Sequence, residues 1–575
     1  MKNAKITKAD LIAFLLLGII SVCIFIRCFY SFTWSDESYY LAVTHRFWLG
    51  ERMIADEWFT SQLSAPLMLP FYSLFQWITG GNDGVYLYFR LLYWGISTIT
   101  AVMTYRLLRR QNSILPSLAC SFIYIFYSRA NIGGMSYYNM TLTFVLLAVL
   151  LIYDQFDRKK PSRVKLYLTG IFLALAIVNT PYLAFPYLLI GVVLLISKKC
   201  WRYRKEVFRG FAGTAFTGIG YLGYVFYKVP VREIIINIPH ILNEPELQRT
   251  NPVMVIPLII ARIVWRYVWT IGVIACIFVY IRYRKQKKKE FTAGQIKGII
   301  TVNLLVFIIN SYLSSDLIGC INIAGTLFFG SLLYLLYDRK AMEKNTLILF
   351  LTAGFSMVLG FSFSSDTGLD AMSVGFVLIA MGVLTEVFKL KEVKKNQFLL
   401  GTVVVVVSVM IIQTGILRLF SVYRDAPIGQ LNEQIADGPG KYLYTTKEHE
   451  RQYSGLKQAI EEYVREEDIV FYSKSCYWSY LCTNNEYGTP SSWRMALNSS
   501  RLEEYFSLNP QKIPTCIFVL NPLYGSYESS MIQNNEKEEF PNTNTEEGFL
   551  YDYITENNYE KIELECATIY RSRKE

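Results

Sequence analysis

Residues 11–40 read LIAFLLLGIISVCIFIRCFYSFTWSDESYY, an apolar run over 11–30 that is soon followed by two adjacent carboxylates, Asp36 and Glu37. The run is long enough to cross a bilayer as a helix and too long for the core of a signal peptide. Lysines precede it, so we expect an uncleaved first membrane helix whose N-terminus lies in the cytoplasm. Carboxylates at the mouth of a membrane helix are costly unless they are solvated or used. Both acids are therefore functional candidates, and the alternative is an ordinary solvated loop start.

The composition of the whole chain supports a membrane protein. Of 575 residues, 53% are hydrophobic and only 18% are charged, and the mean hydropathy is +0.27. A soluble protein of this length would contain more charge. The net charge is +11, but the basic residues form short runs between apolar segments, which is typical of topology signals and not of a nucleic-acid-binding face.

The apolar segments predict an α-helical polytopic membrane protein with about thirteen transmembrane helices. After 11–30, the segments long enough to span lie near 85–107, 113–129, 137–154, 165–180, 182–198, 208–228, 262–283, 296–313, 319–337, 345–362, 371–389 and 398–418. Because positive charge is retained on the cytoplasmic side, successive loops should alternate between rich and poor in Lys and Arg. The predicted inside loops are the basic stretches 106–110, 158–165, 198–205, 282–289, 339–344 and 389–395. The short outside loops near 180, 314–318 and 363–370 contain neither Lys nor Arg, and an odd number of helices places the C-terminus outside.

A change of composition at Ser421 predicts two domains. Residues 1–420 form the transmembrane domain with a long first outer loop, 31–84, and residues 421–575 form a small extracytoplasmic α/β domain. In the second domain we expect helices near 450–465, 500–508 and 545–557 and strands over 468–472, 515–520 and 561–570. Tryptophans and phenylalanines are spaced among polar residues in the first loop, which predicts helices lying in the interface plane on the outer leaflet.

The first loop also carries a family signature. The segment Asp36-Glu37-Ser38-Tyr39-Tyr40, just outside the first helix, is followed by Gly50, Asp56 and then Ala65-Pro66-Leu67. This arrangement resembles the first-loop signature of the C-fold membrane glycosyltransferases, which include protein O-mannosyltransferases and the aminoarabinose transferase of lipid A. The resemblance extends to the whole architecture of many helices and a C-terminal outer domain, but at residue level it covers only about the first hundred positions.

The resemblance implies a transferase that uses a polyprenyl-phosphate-linked sugar at the outer leaflet. In such enzymes the first-loop Asp activates the acceptor, which gives Asp36, with Glu37 beside it, the catalytic position. A carboxylate there can accept a proton from an acceptor hydroxyl as it attacks the anomeric carbon while the lipid phosphate leaves, and single displacement would invert the anomeric centre. Tyr40, Asp56 and His240 are candidates to line the substrate cavity.

A departing phosphate needs compensating positive charge. The candidate donor-phosphate ligands are Arg90, near the start of the second apolar segment, and the pair Arg262 and Arg266, which are four residues apart on one helical face. Snorkelling of long cationic chains to the interface is the alternative for each of them. The aminoarabinose-transferase branch carries an acidic and a basic residue directly before its proline motif, but this chain has Leu63-Ser64 there, so the substrate of that branch cannot be carried over.

We expect no cofactor and no metal. The predicted outer loops contain no DxD motif, which argues against the metal-dependent oligosaccharyltransferase branch. Asp36, Glu37, Asp56, Glu57 and His240 could in principle assemble an oxygen-rich site for a divalent cation.

The function expected from the sequence is thus a cell-envelope hexosyl- or pentosyltransferase, a multi-pass protein of the cell membrane. Its partners would be a polyprenyl-phosphate sugar donor, membrane lipid and a surface glycan, lipid or protein acceptor, without nucleic acid. One alternative is a polysaccharide polymerase, against which the scarcity of outer arginines counts. The other is a transporter or flippase of a lipid-linked glycan, for which we would expect mid-membrane acids or inverted repeats.

Overall fold

The computed structural model describes residues 7–156, 158, 160–198, 203–243, 252–313, 318–336, 344–364, 368–473, 476–493, 499–520 and 548–573. Residues 7–420 of this set are mainly helical. The helices are α1 Lys8–Arg27, α2 Asp36–Trp48, α3 Ala65–Thr79, α4 Val85–Leu108, α5 Ile114–Phe126, α6 Tyr137–Tyr153, α7 Arg163–Asn179, α8 Ala184–Ile196, α9 Arg204–Lys228, α10 Val231–Leu242, α11 Pro252–Gln286, α12 Ala293–Leu313, α13 Ile318–Leu336, α14 Lys344–Ser364, α15 Leu369–Val387, α16 Lys391–Lys395 and α17 Gln397–Phe420.

Each apolar segment predicted from the sequence overlaps one of these helices. Six are long and apolar enough to cross a membrane: Lys8–Arg27, Met254–Gln286, Ala293–Leu313, Asn345–Ser364, Leu369–Val387 and Gln397–Phe420. Shorter apolar helices, such as Ile114–Phe126 and Tyr137–Tyr153, lie between them. Their lengths and apolar composition support a membrane protein, and the number of about thirteen crossings stays a prediction.

The first loop differs from its prediction. The prediction of helices in the membrane interface covered the whole loop, whereas in α2 every side chain from Glu37 to Phe47 is buried, including Arg46 and Thr44. A helix at a bilayer surface leaves a polar face exposed to water, and α2 leaves none because the C-terminal domain covers it. Within the first loop, all of which the structure describes, α3 alone keeps large apolar side chains exposed, namely Phe71, Leu74, Trp77 and Ile78.

The C-terminal domain has the predicted α/β composition. Helices α18 Lys447–Tyr463, α19 Ser499–Leu508 and α20 Gly548–Glu556 accompany the strands β1 Glu433–Gln434, β2 Tyr444–Thr445, β3 Ile469–Tyr472, β4 Glu486–Tyr487, β5 Cys516–Leu520, β6 Glu560–Glu563 and β7 Ala567–Arg571. The main sheet has the order β4-β3-β5-β7-β6, with β3 parallel to β4 and β5, and β7 antiparallel to β5 and β6. The expected strand over 561–570 is therefore a hairpin of two strands.

Backbone hydrogen bonds attach the C-terminal domain to both ends of the first loop. At one end, Ser31 donates to the carbonyl of Tyr444 at 2.8 Å, and at the other Gly84 donates to the carbonyl of Gly438 at 2.9 Å. Between them a buried Trp478 packs edge-on against Trp34 with 5.5 Å between ring centroids. The start of α2 is thereby enclosed between the apolar helices and the C-terminal domain.

Candidate active site

Asp36 occupies the first turn of α2, where the free N–H groups of a helix stabilise a carboxylate. Its Oδ2 atom accepts hydrogen bonds from Ser35 Oγ at 3.0 Å and from the Tyr423 hydroxyl at 2.8 Å, and Arg424 Nη1 lies 3.5 Å from it. All of these contacts are to Oδ2. Within the described residues, Oδ1 has no hydrogen-bond partner, so it is the oxygen available to accept a proton.

Tyrosines surround this carboxylate. Tyr40 lies one helical turn after Asp36 on the same face of α2, and its ring contacts Tyr137 edge-on at a centroid distance of 5.9 Å. Burial, together with the nearby Asp36, raises the pKa of both Tyr40 and Tyr423 above the ordinary value. Both phenols therefore stay protonated at neutral pH, and Tyr423 remains a hydrogen-bond donor to Asp36.

A largely shielded guanidinium, with 10% of the Arg129 side chain exposed, lies beside a further tyrosine. Arg129 Nε donates to Asp370 Oδ2 at 2.8 Å, and its guanidinium carbon lies 4.2 Å from the centroid of the Tyr138 ring. Asp370 and the face of the Tyr138 ring therefore stabilise the Arg129 cation. The site thus holds two carboxylates, Asp36 and Asp370, and two arginines, Arg129 and Arg424.

Glu37 points away from this group and forms a buried clamp with Arg90. Arg90 Nε and Nη2 donate to the two carboxylate oxygens of Glu37 at 2.9 and 2.5 Å. Arg90 Nη1 donates to the carbonyls of Cys28, Tyr30 and Ser31 at 3.0, 3.2 and 2.9 Å. All three guanidinium nitrogens are occupied by protein acceptors, so this geometry does not support the predicted roles of Arg90 as a phosphate ligand and of Glu37 as a catalytic group.

Arg262 lies near the site, and Arg266 is not brought into it by any described contact. A methyl group added at Gly368 would lie 3.0 Å from Arg262 Nη1, and Gly368 directly precedes α15, whose first turn carries Asp370. Both arginines are exposed. Of the three phosphate ligands predicted from the sequence, Arg262 is the one that the described contacts place beside the site.

The two remaining cavity candidates have partners elsewhere. Asp56 is buried and accepts the backbone N–H of Arg52 at 2.6 Å, which closes a turn of the first loop. His240 stacks on Trp58 with 4.6 Å between ring centroids, and its Nδ1 lies 2.9 Å from Glu504. The two contacts of His240 fasten the first loop and α10 to the C-terminal domain.

The oxygen-rich set considered for a divalent cation is not assembled. Besides the pairs already described, Glu57 binds the buried Arg46 at 2.9 Å. In the described part of the chain, no group of three or more His, Cys, Asp or Glu residues could hold a metal ion. Metal independence itself stays a prediction.

Sequence reasoning missed Arg129, Tyr423 and Arg424. The signal was present, because Arg129 ends the 113–129 segment and Arg424 follows the last apolar segment, both at predicted outer ends. Asp370 lies in the predicted outer loop 363–370 and was not selected as a site residue from the sequence. Asp316, Asp366 and Arg249, which the same reasoning would consider, lie outside the described residues.

No family model and no curated protein matches the sequence. In structure, the chain is similar to solved proteins with which it shares little sequence identity. One is ArnT from Cupriavidus metallidurans bound to undecaprenyl phosphate, with 10% identity over 87% of this chain and 88% of that chain and a TM-score of 0.47. Another is the apo oligosaccharyltransferase of Archaeoglobus fulgidus, with 12% identity over 89% and 69% of the two chains and a TM-score of 0.44. At such identities and TM-scores we carry over no residue role, donor or acceptor from either protein.

Proposed function

We propose that this protein is an integral membrane glycosyltransferase that transfers a sugar from a polyprenyl-phosphate-linked donor to a cell-surface acceptor, with Asp36 as the base. The observation that carries the proposal is the state of the Asp36 carboxylate. One oxygen is held by Tyr423 and Ser35 beside Arg424, and the other lacks a partner among the described residues. A fixed carboxylate with one open oxygen suits a general base that must meet an incoming hydroxyl.

In the proposed reaction, Oδ1 of Asp36 accepts the proton of an acceptor hydroxyl while the hydroxyl oxygen bonds to the anomeric carbon. The bond from that carbon to the phosphate oxygen breaks, and its electron pair leaves with the lipid phosphate. A single displacement of this kind inverts the anomeric configuration.

The cations near Asp36 would stabilise the leaving phosphate. Arg129 and Arg424 replace Arg90 in this role, and Arg262 is a third candidate beside Gly368. Arg129 is held in place by Asp370 and Tyr138, and a preorganised cation in a water-poor site stabilises developing negative charge more than a mobile one does. The tyrosine rings offer apolar faces and hydroxyl groups on which a sugar ring can bind.

Asp36→Asn tests the proposal. Transfer is measured in purified membranes with a set of polyprenyl-phosphate sugars, and we expect the rate to fall by a factor of about 10² to 10⁴ because the base is lost. Asp83→Asn is the matched control, since Asp83 belongs to the same loop but is half exposed and pairs with Lys441 at 3.2 Å. Full transfer by Asp36→Asn at normal expression would refute the assignment. Movement of the lipid-linked sugar across the membrane without transfer would favour the flippase alternative.

A further inference from the structure

The segment 421–427, here called the linker, connects α17 to the C-terminal domain and supplies side chains to the candidate active site. Tyr423 donates to Asp36, and Arg424 Nη1 both donates to Ser35 Oγ at 2.6 Å and lies 3.5 Å from Asp36. The backbone of Arg424 has a φ of +52°, in the left-handed region that residues with a side chain rarely adopt. Surrounding contacts must therefore hold the linker in this conformation.

The first of these contacts fixes the start of the linker to the apolar helices. The carbonyl of Ser421 accepts hydrogen bonds from Arg27 Nη2 at 2.9 Å and from Asn131 Nδ2 at 2.6 Å. Asn131 also donates to the carbonyls of Leu417 and Arg418 at the end of α17, at 3.1 and 3.2 Å.

The second contact is a buried carboxylate directly after Arg424. The Asp425 side chain is fully buried and accepts from the backbone N–H of Phe32 at 2.8 Å and from His449 Nδ1 at 2.7 Å. Thr445 Oγ1 lies 3.1 Å from each of its oxygens. Phe32 belongs to the first loop, whereas Thr445 is in β2 and His449 is in α18, so one carboxylate joins the linker to the loop and to the C-terminal domain.

We propose that Asp425 is a positioning residue through which the C-terminal domain holds Tyr423 and Arg424 against Asp36. A buried carboxylate with several donors fixes its own backbone strongly, and the neighbouring residue carries the guanidinium. The C-terminal domain thereby sets the geometry of the candidate active site around Asp36. This role is separate from any part that the domain has in selecting the acceptor. The effect on transfer rests on the proposed function, whereas the fixing of the linker does not.

A double-mutant cycle tests the positioning. Asp425→Ala is expected to lower the rate of transfer by about tenfold in the wild-type background, and by less than about twofold when Tyr423→Phe and Arg424→Ala are already present. The second loss is small because the groups that Asp425 positions are then gone. A role in stability alone would instead give the same fold loss in both backgrounds, and that result would overturn the proposal. Thr445→Val, which removes one donor, should show a smaller loss with the same pattern if Asp425→Ala fails to fold.

Amide hydrogen exchange of the full chain in detergent provides a readout that needs no activity. We expect Asp425→Ala, or Thr445→Val in its place, to raise exchange over 421–427. Asp468→Asn is the control, because Asp468 is a buried acid directly before β3 that binds Arg571 at 3.1 Å, and its substitution should leave the linker unchanged. If the wild-type protein transfers no sugar, the proposed function fails, and amide exchange over 421–427 in the Asp425 or Thr445 variant alone tests whether Asp425 fixes the linker. Increased exchange supports this positioning, and unchanged exchange overturns it. If Asp36→Asn abolishes transfer but Asp425→Ala is additive, the proposed function stands and the positioning fails.

Discussion

Neutralising Glu37 should destabilise the protein far more than neutralising an exposed carboxylate. In the Glu37–Arg90 pair the side chains are only 5% and 3% exposed, and two hydrogen bonds join them. Glu37→Gln keeps the shape of the side chain but leaves the Arg90 cation buried with only neutral acceptors, and its new amide N–H₂ faces donors. Breaking a buried ion pair in this way costs about 3 to 5 kcal/mol.

The free energy of unfolding can be measured by titrating the purified protein in mixed micelles with dodecyl sulfate. Glu233→Gln is the control, because the pair of Arg52 and Glu233 is 34% and 33% exposed and should contribute less than about 1 kcal/mol. The double variant Glu37→Gln/Arg90→Gln should recover part of the loss, since no buried charge then lacks a partner. A loss for Glu37→Gln no larger than that of the control would refute the clamp. In that case Arg90 would again be a candidate ligand of the donor phosphate.

Two further outcomes follow from the first loop and its surroundings. A Cβ at Gly134 would lie 2.7 Å from Glu37 Oε1, an atom that Arg90 holds in place, so Gly134→Ala should lower the melting temperature of the protein. Gly81→Ala is the control, because its Cβ meets nothing within 4 Å. Equal melting temperatures of the two variants would contradict the prediction. Burial lowers the pKa of His45 from 6.5 to about 4, so the unfolded chain binds a proton first as the pH falls, and stability should decline from about pH 6.5 towards pH 4. At about 1.4 kcal/mol for each pH unit the loss is at most about 3.5 kcal/mol, and denaturation of wild type and His45→Gln at several pH values measures it. Identical pH dependence of the two proteins would show that His45 is not the group responsible.

The expectations that agree with the structure depended on signals that are local in the sequence. The apolar segments and the C-terminal strands were found because each is encoded by hydrophobicity within a short window of sequence. The burial of α2 was not predicted, because amphipathicity indicates that the apolar face of a helix is covered without showing what covers it. Here the cover is the C-terminal domain, which begins almost four hundred residues later.

The sequence by itself determined a membrane protein rich in apolar helices, a small C-terminal α/β domain, and Asp36 as the acid of first interest. Only the tertiary structure decided which charged side chains are paired inside the protein and which can still contact a substrate. It joined Arg90 to Glu37, 53 residues away, and brought Tyr423 to Asp36 from 387 residues along the chain. The reason is physical: hydropathy acts on neighbouring residues, whereas a buried charge is stabilised by whichever partner the packing brings within hydrogen-bonding distance.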